Sequence, residues 1–136
     1  MTPFADLLRR AWPIFFEAIR QRRTLTYTEL AGRVGPPLTP RAVHRQLLNP
    51  LSARCERWGL PDLPALVVRK SSGLPGGGWF DPPEPGDPVE RWRSAVVRCY
   101  DHPWKRTLDP RLLIDFDESR SINPRVIDAS GEPPRV

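Results

Sequence analysis

The chain is short of the residues that build reactive and metal-binding centres. Its 136 residues include two cysteines, Cys55 and Cys99, two histidines, His44 and His102, and a single methionine. The cysteines lie far apart with no partner at metal-ligand spacing, so the sequence predicts neither a zinc site nor any other metal or cofactor. Long apolar runs are missing too. The stretch from Phe4 to Ile19 is interrupted by Asp6, Arg9, Arg10 and Glu17, which predicts neither a membrane span nor the apolar segment of a signal peptide. Reduced thiols, a cytoplasmic location and no membrane contact are the expectation. There is no internal repeat, and Gly76-Gly77-Gly78 lacks the following helix and lysine of a phosphate-binding loop.

Proline and positive charge, by contrast, are abundant. The eighteen prolines punctuate the chain densely and argue against long uninterrupted helices. The formal net charge is +5 and is unevenly spread. Residues 1–80 carry twelve Lys/Arg against five Asp/Glu, whereas residues 81–136 carry nine against eleven. The basic excess therefore belongs to the N-terminal part, where it favours a polyanionic partner. The length suits one ordinary domain plus a tail.

Periodicity and punctuation divide the chain further. Phe4, Leu7, Leu8, Ala11, Trp12, Phe15 and Ile19 recur at helical spacing, with Pro13 predicting either a bent helix or two helices. Thr26-x-x-Glu29 has capping-box form and predicts a short helix over 27–34. Thr39-Pro40 starts a second helix over 40–48, and Asn49-Pro50 repeats the signal for a third, ending near Trp58 before Gly59. Residues 64–70 read as a strand, 71–78 as a glycine-rich turn, and Trp79-Phe80 as a returning strand. A proline-rich linker over 81–88 leads to a helix reaching about Tyr100, with Val89, Trp92, Val96 and Tyr100 on one face. Leu112 to Phe116 reads as an edge strand or strap, and residues 123–136 as a loose tail.

Short helix, second helix, strand and glycine-rich basic turn follow one another in the order of a winged helix-turn-helix. The predicted fold is thus mainly α with a small β-wing (α+β): a winged-helix domain with its N-terminal helix over 1–80, the linker over 81–88, and a C-terminal helix and irregular tail over 89–136 packed on the first domain. Arg41, His44 and Arg45 share one face of the second helix, while Ala42, Val43 and Leu47 turn inward. Arginine forks onto guanine or bridges phosphates, as a groove-reading helix requires. Tyr27 and Thr28 open the preceding helix, where a hydroxyl and free amides meet the nucleic-acid backbone. Arg69 and Lys70 begin the wing and would contact phosphates without reading sequence.

These same pieces carry a resemblance. Residues 24–78 resemble the C-terminal winged-helix domain of the O6-alkylguanine-DNA alkyltransferases and the alkyltransferase-like proteins. The matching segments are Thr26-Tyr27-Thr28-Glu29-Leu30-Ala31, Arg41-Ala42-Val43-His44-Arg45-Gln46-Leu47 with Asn49-Pro50, and Val67-Val68 with Ser71-Ser72-Gly73. The resemblance implies that Tyr27 presses on a phosphate to rotate a nucleotide and that Arg41 enters the minor groove to fill the vacated space. Leu63-Pro64-Ala65-Leu66 stands where that family has Pro-Cys-His-Arg, so the alkyl-accepting thiol and its histidine are missing. His44 replaces a small glycine of the recognition helix. Residues 51–62 form a longer connection than the family has, and Cys55 lies within it with no base beside it.

Together these features predict a DNA-binding protein, not an enzyme, that contacts duplex DNA. The alternative is a protein-interaction module of a bacterial nucleic-acid-processing or defence complex, using Trp92, Tyr100, Trp104 and the acidic C-terminal third to dock a protein partner. Asp115, Asp117 and Glu118 read as a solvated acidic strap, with a metal-dependent nuclease as the remaining alternative.

Overall fold

The computed structural model describes residues 4–76, 79 and 85–114. Their architecture is mostly helical, with α1 (Phe4–Arg20), α2 (Tyr27–Val34), α3 (Asn49–Arg57) and α4 (Pro88–Asp101) packed around a sheet of two short strands, β1 (Leu25–Thr26) and β2 (Val67–Val68). The strands are parallel, pairing Leu25 with Val67 and Thr26 with Val68. No helix is long and apolar enough to cross a membrane among the described residues.

α1 is one helix, not two, although Pro13 lies inside it. Leu7, Leu8, Ala11 and Trp12 are buried before the proline and Ile14, Phe15, Ala18 and Ile19 after it, so core packing clamps both halves. Pro13 itself faces solvent, where water can take the carbonyl that loses its partner. α2 begins as its sequence predicts: the Thr26 hydroxyl accepts a hydrogen bond from the Glu29 amide at 3.0 Å, a cap worth about 1 kcal/mol. The second half of the capping box is not made, because the Glu29 carboxylate turns to Arg23 at 3.2 Å.

Thr39 also caps as expected, its hydroxyl accepting from the Ala42 amide at 3.2 Å. Beyond it the structure corrects the predicted boundary between two helices. Asn49-Pro50 does not start a new helix; Leu48 and Asn49 keep right-handed helical dihedrals, and the chain runs through into α3 by a widened π-helical turn over His44–Leu48. The Asn49 amide donates to the His44 carbonyl, five residues back. Pro50 has no amide and its ring would strike the Gln46 carbonyl in a regular α-helix, and a widened turn accommodates it.

The predicted strand over 64–70 shrinks for a similar reason. Leu63–Leu66 forms a 3-10 turn with Pro64 in its first turn, leaving only Val67–Val68 extended. The wing is corrected too: β2 pairs with β1, and no second wing strand follows it among the described residues. Phe80, the second half of the predicted returning strand, lies outside the described residues, as do residues 81–84, Phe116, the Asp115, Asp117 and Glu118 cluster and the tail over 123–136.

The C-terminal third packs onto the rest. α4 begins at the Asp87 cap, whose carboxylate accepts from the Val89 amide at 2.9 Å, and buries Ala95, Val96 and Cys99. Leu112, in a 3-10 turn over Pro110–Leu113, is fully buried in the common core. Three indole N–H groups join the parts, each at 2.8 Å: Trp12 donates to the Arg106 carbonyl, Trp92 to that of Ala65, and Trp104 to that of Cys99. Arg54 is 8% exposed. It donates to the Ile114 and Pro50 carbonyls at 3.2 and 3.1 Å and lies over the Phe4 ring at 4.2 Å.

Candidate nucleic-acid interface

Three segments predicted to contact nucleic acid meet at one place. Tyr27 stands at the first position of α2, His44 opens the π-helical turn, and Arg69 follows β2. The parallel strand pair brings the first and last together, since β1 runs directly into Tyr27 and β2 directly into Arg69. The Tyr27 and His44 rings lie 6.3 Å apart with their planes tilted by 50°. The Tyr27 hydroxyl oxygen accepts a hydrogen bond from the Gly76 amide at 2.9 Å. Between Val68 and Gly76 the chain turns back on itself: the Arg69 amide donates to the Leu74 carbonyl and the Gly73 amide to the Arg69 carbonyl, both at 2.8 Å. Gly73 adopts a φ of +71°, a conformation that favours glycine.

The other predicted site residues flank this contact along the chain. Thr28 follows Tyr27, Arg45 follows His44, Lys70 follows Arg69, and Arg41 lies one turn before His44; all four are exposed. Among the described residues, Arg41, Arg45, Arg69 and Lys70 make no ion pair with a carboxylate. Elsewhere, Arg10, Arg22, Arg23, Arg33, Arg93 and Arg111 each do. Positive charge is therefore neutralised locally on other surfaces and left available on this one, the arrangement that raises local potential toward a polyanion.

A cleft of about 870 Å³ opens beside the interface, between the π-helical turn with α3 on one side and α4 on the other. His44 lines it, so this residue belongs to both features; Asn49, Ser52, Asp62, Pro64, Trp79 and Arg98 are among its other walls. The Asp62 carboxylate accepts from the Trp79 indole at 2.8 Å and from the Ser52 hydroxyl at 3.0 Å. Burial nevertheless pushes its pKa above the ordinary aspartate range, against the opposing pull of those two donors. Burial pushes the Cys55 thiol up to about 12 and the Cys99 thiol upward as well, so both are held as neutral thiols. No group of His, Cys, Asp and Glu side chains suited to a metal ion occurs among the described residues.

Two parts of the arrangement escape sequence reading. Gly76 sits in a glycine run that signals a turn but not a close approach to Tyr27. Asp62 joins Ser52 and Trp79 across the fold, a contact for which no local pattern exists. Trp92 and Trp104, read as a docking patch for a protein partner, are instead half-buried with their indole N–H groups satisfied within the chain. No family model, curated protein or solved structure matches this chain.

Proposed function

We propose that this chain is a non-enzymatic DNA-binding protein of winged-helix type that holds duplex DNA against Tyr27, Thr28, Arg41, His44, Arg45, Arg69 and Lys70. The observation that carries the reading is the meeting of Tyr27, His44 and the turn after β2 at one point, flanked by four exposed cations with no carboxylate partner among the described residues. In this reading the π-helical turn and the residues before it face the groove, Tyr27 and Thr28 meet the backbone, and Arg69 and Lys70 hold phosphates at the flank. The resemblance to the alkyltransferase-like proteins supports the same face. Buried Pro64 and Ala65 occupy the segment where that family carries its reactive thiol and histidine, so the proposed role is binding without alkyl transfer.

The test is anisotropy of a fluorescent random duplex, with single strand and an O6-alkylguanine duplex in parallel, at low and near-physiological salt. Salt-sensitive duplex binding is expected, since each neutralised phosphate releases counterions. Absence of binding at low salt refutes the reading.

A further inference from the structure

We propose that Gly76 is a positioning residue of this face, setting the Tyr27 hydroxyl and the Arg69 guanidinium side by side as a seat for one backbone phosphate. The inference rests on the DNA-binding reading and deepens it. Gly76 is buried, and unlike Gly73 it does not have a positive φ. Its backbone conformation therefore does not require glycine; its surroundings do. A Cβ at position 76 would lie 3.0 Å from the Tyr27 hydroxyl oxygen and 3.7 Å from the ring carbon bearing it, with Arg69 Nε on another side at 3.8 Å. At Gly73 nothing lies within 4 Å of the equivalent position. The two glycines of this turn thus serve different physical ends, one conformational and one spatial.

The contact also determines which way the tyrosine can act. Its oxygen accepts the Gly76 N–H at 2.9 Å, so the phenolic proton points away from that amide and remains available as a donor. Arg69 Nε and the hydroxyl oxygen flank the same point, so they are under about 7 Å apart, a gap one phosphate bridges with a hydrogen bond to each group. Arg69 is exposed and makes no ion pair among the described residues, and its backbone is pinned by the two hydrogen bonds that close the turn. A phosphate seated there receives a neutral donor and a cation from two segments that are distant in sequence. The Gly76 amide holds those segments in register.

Duplex binding measured across a salt series tests this with Gly76→Ala, Tyr27→Phe, the double variant, and Gly32→Ala as a control with open space at its Cβ. Gly76→Ala is expected to weaken binding about tenfold and to make the salt slope shallower by about one. Tyr27→Phe removes both the donor and the atom that the added methyl would strike. In that background Gly76→Ala should cost little further, and Gly32→Ala should change nothing. Thermal unfolding of each variant separates lost fold from lost binding, and Tyr27→Phe carries the test if Gly76→Ala does not fold. If the wild type binds and Gly76→Ala keeps its affinity and slope, the phosphate seat is overturned and the DNA face stands. Equal cost of Gly76→Ala in both backgrounds overturns it too, because the methyl then acts elsewhere. A wild type that fails to bind at low salt overturns the DNA reading itself.

Discussion

Neutralising Arg41 and Arg45 together should change the salt dependence of DNA binding more tellingly than it changes affinity at any one condition. Both side chains are exposed and make no ion pair among the described residues, so replacing them by alanine should alter folding stability by less than about 0.5 kcal/mol. If Arg41, Arg45, Arg69 and Lys70 each meet one phosphate, log affinity falls with log salt at a slope of about −3.6. Affinity then drops about 150-fold between about 50 and about 200 mM salt. Removing two of the four contacts halves the slope to about −1.8, and the same salt step costs only about twelvefold. Anisotropy titrations of a random duplex at four or more salt concentrations would give both slopes, with chemical denaturation as the check on folding. An unchanged slope in the double variant, with binding retained, would refute the placement of this helical face on DNA.

Other outcomes follow from the core and the cleft. Because burial raises the Asp62 pKa, the folded chain holds that proton more tightly than the unfolded one. The contribution is present below about pH 4 and is lost as pH rises through the raised value. Denaturant titrations of wild type and Asp62→Asn at pH 4 and pH 7 should differ in pH dependence in that sense, and matching profiles would contradict it. Cys55 and Cys99, buried and held as thiols, should resist maleimide in the native protein and react once denaturant is added; fast native labelling would show the packing to be wrong. Leu112→Ala should destabilise the chain by about 2–5 kcal/mol, because Leu112 is fully buried in the common core. A loss near zero would mean that the C-terminal turn does not belong to it.

Much of the helical scaffold is legible in the sequence because its signals are local. Thr26, Thr39 and Asp87 each use a side-chain oxygen to satisfy an amide within three residues, and such contacts need no knowledge of the rest of the fold. The errors occur where a local signal is overruled by something distant. Pro13 reads as a break, yet buried residues on both sides hold α1 together. Asn49-Pro50 reads as a cap, yet Leu47, Leu48 and Leu51 are all buried in the core, and the helix widens instead of stopping. The β-branched pair Val67-Val68 does form a strand, but its parallel partner lies some forty residues earlier, a pairing that periodicity cannot reveal. At the candidate interface the cations were visible one by one. That Tyr27, His44 and Gly76 touch depends on the strand pair and on the turn after it.

The π-helical turn makes the chain unusually intolerant of changes in length between Thr39 and Trp58. A regular helix advances about 100° per residue, so deleting one residue from this stretch could restore ordinary helical bonding while swinging the remainder of α3 by roughly that angle about its axis. Leu51 and Cys55 would leave the core, and Ser52 would turn away from Asp62. An insertion would rotate them the opposite way. Point substitutions in this segment are therefore a gentler path for divergence than gaps, and homologous sequences should align across it without a break while varying freely at the solvent-facing Gln46 and Glu56.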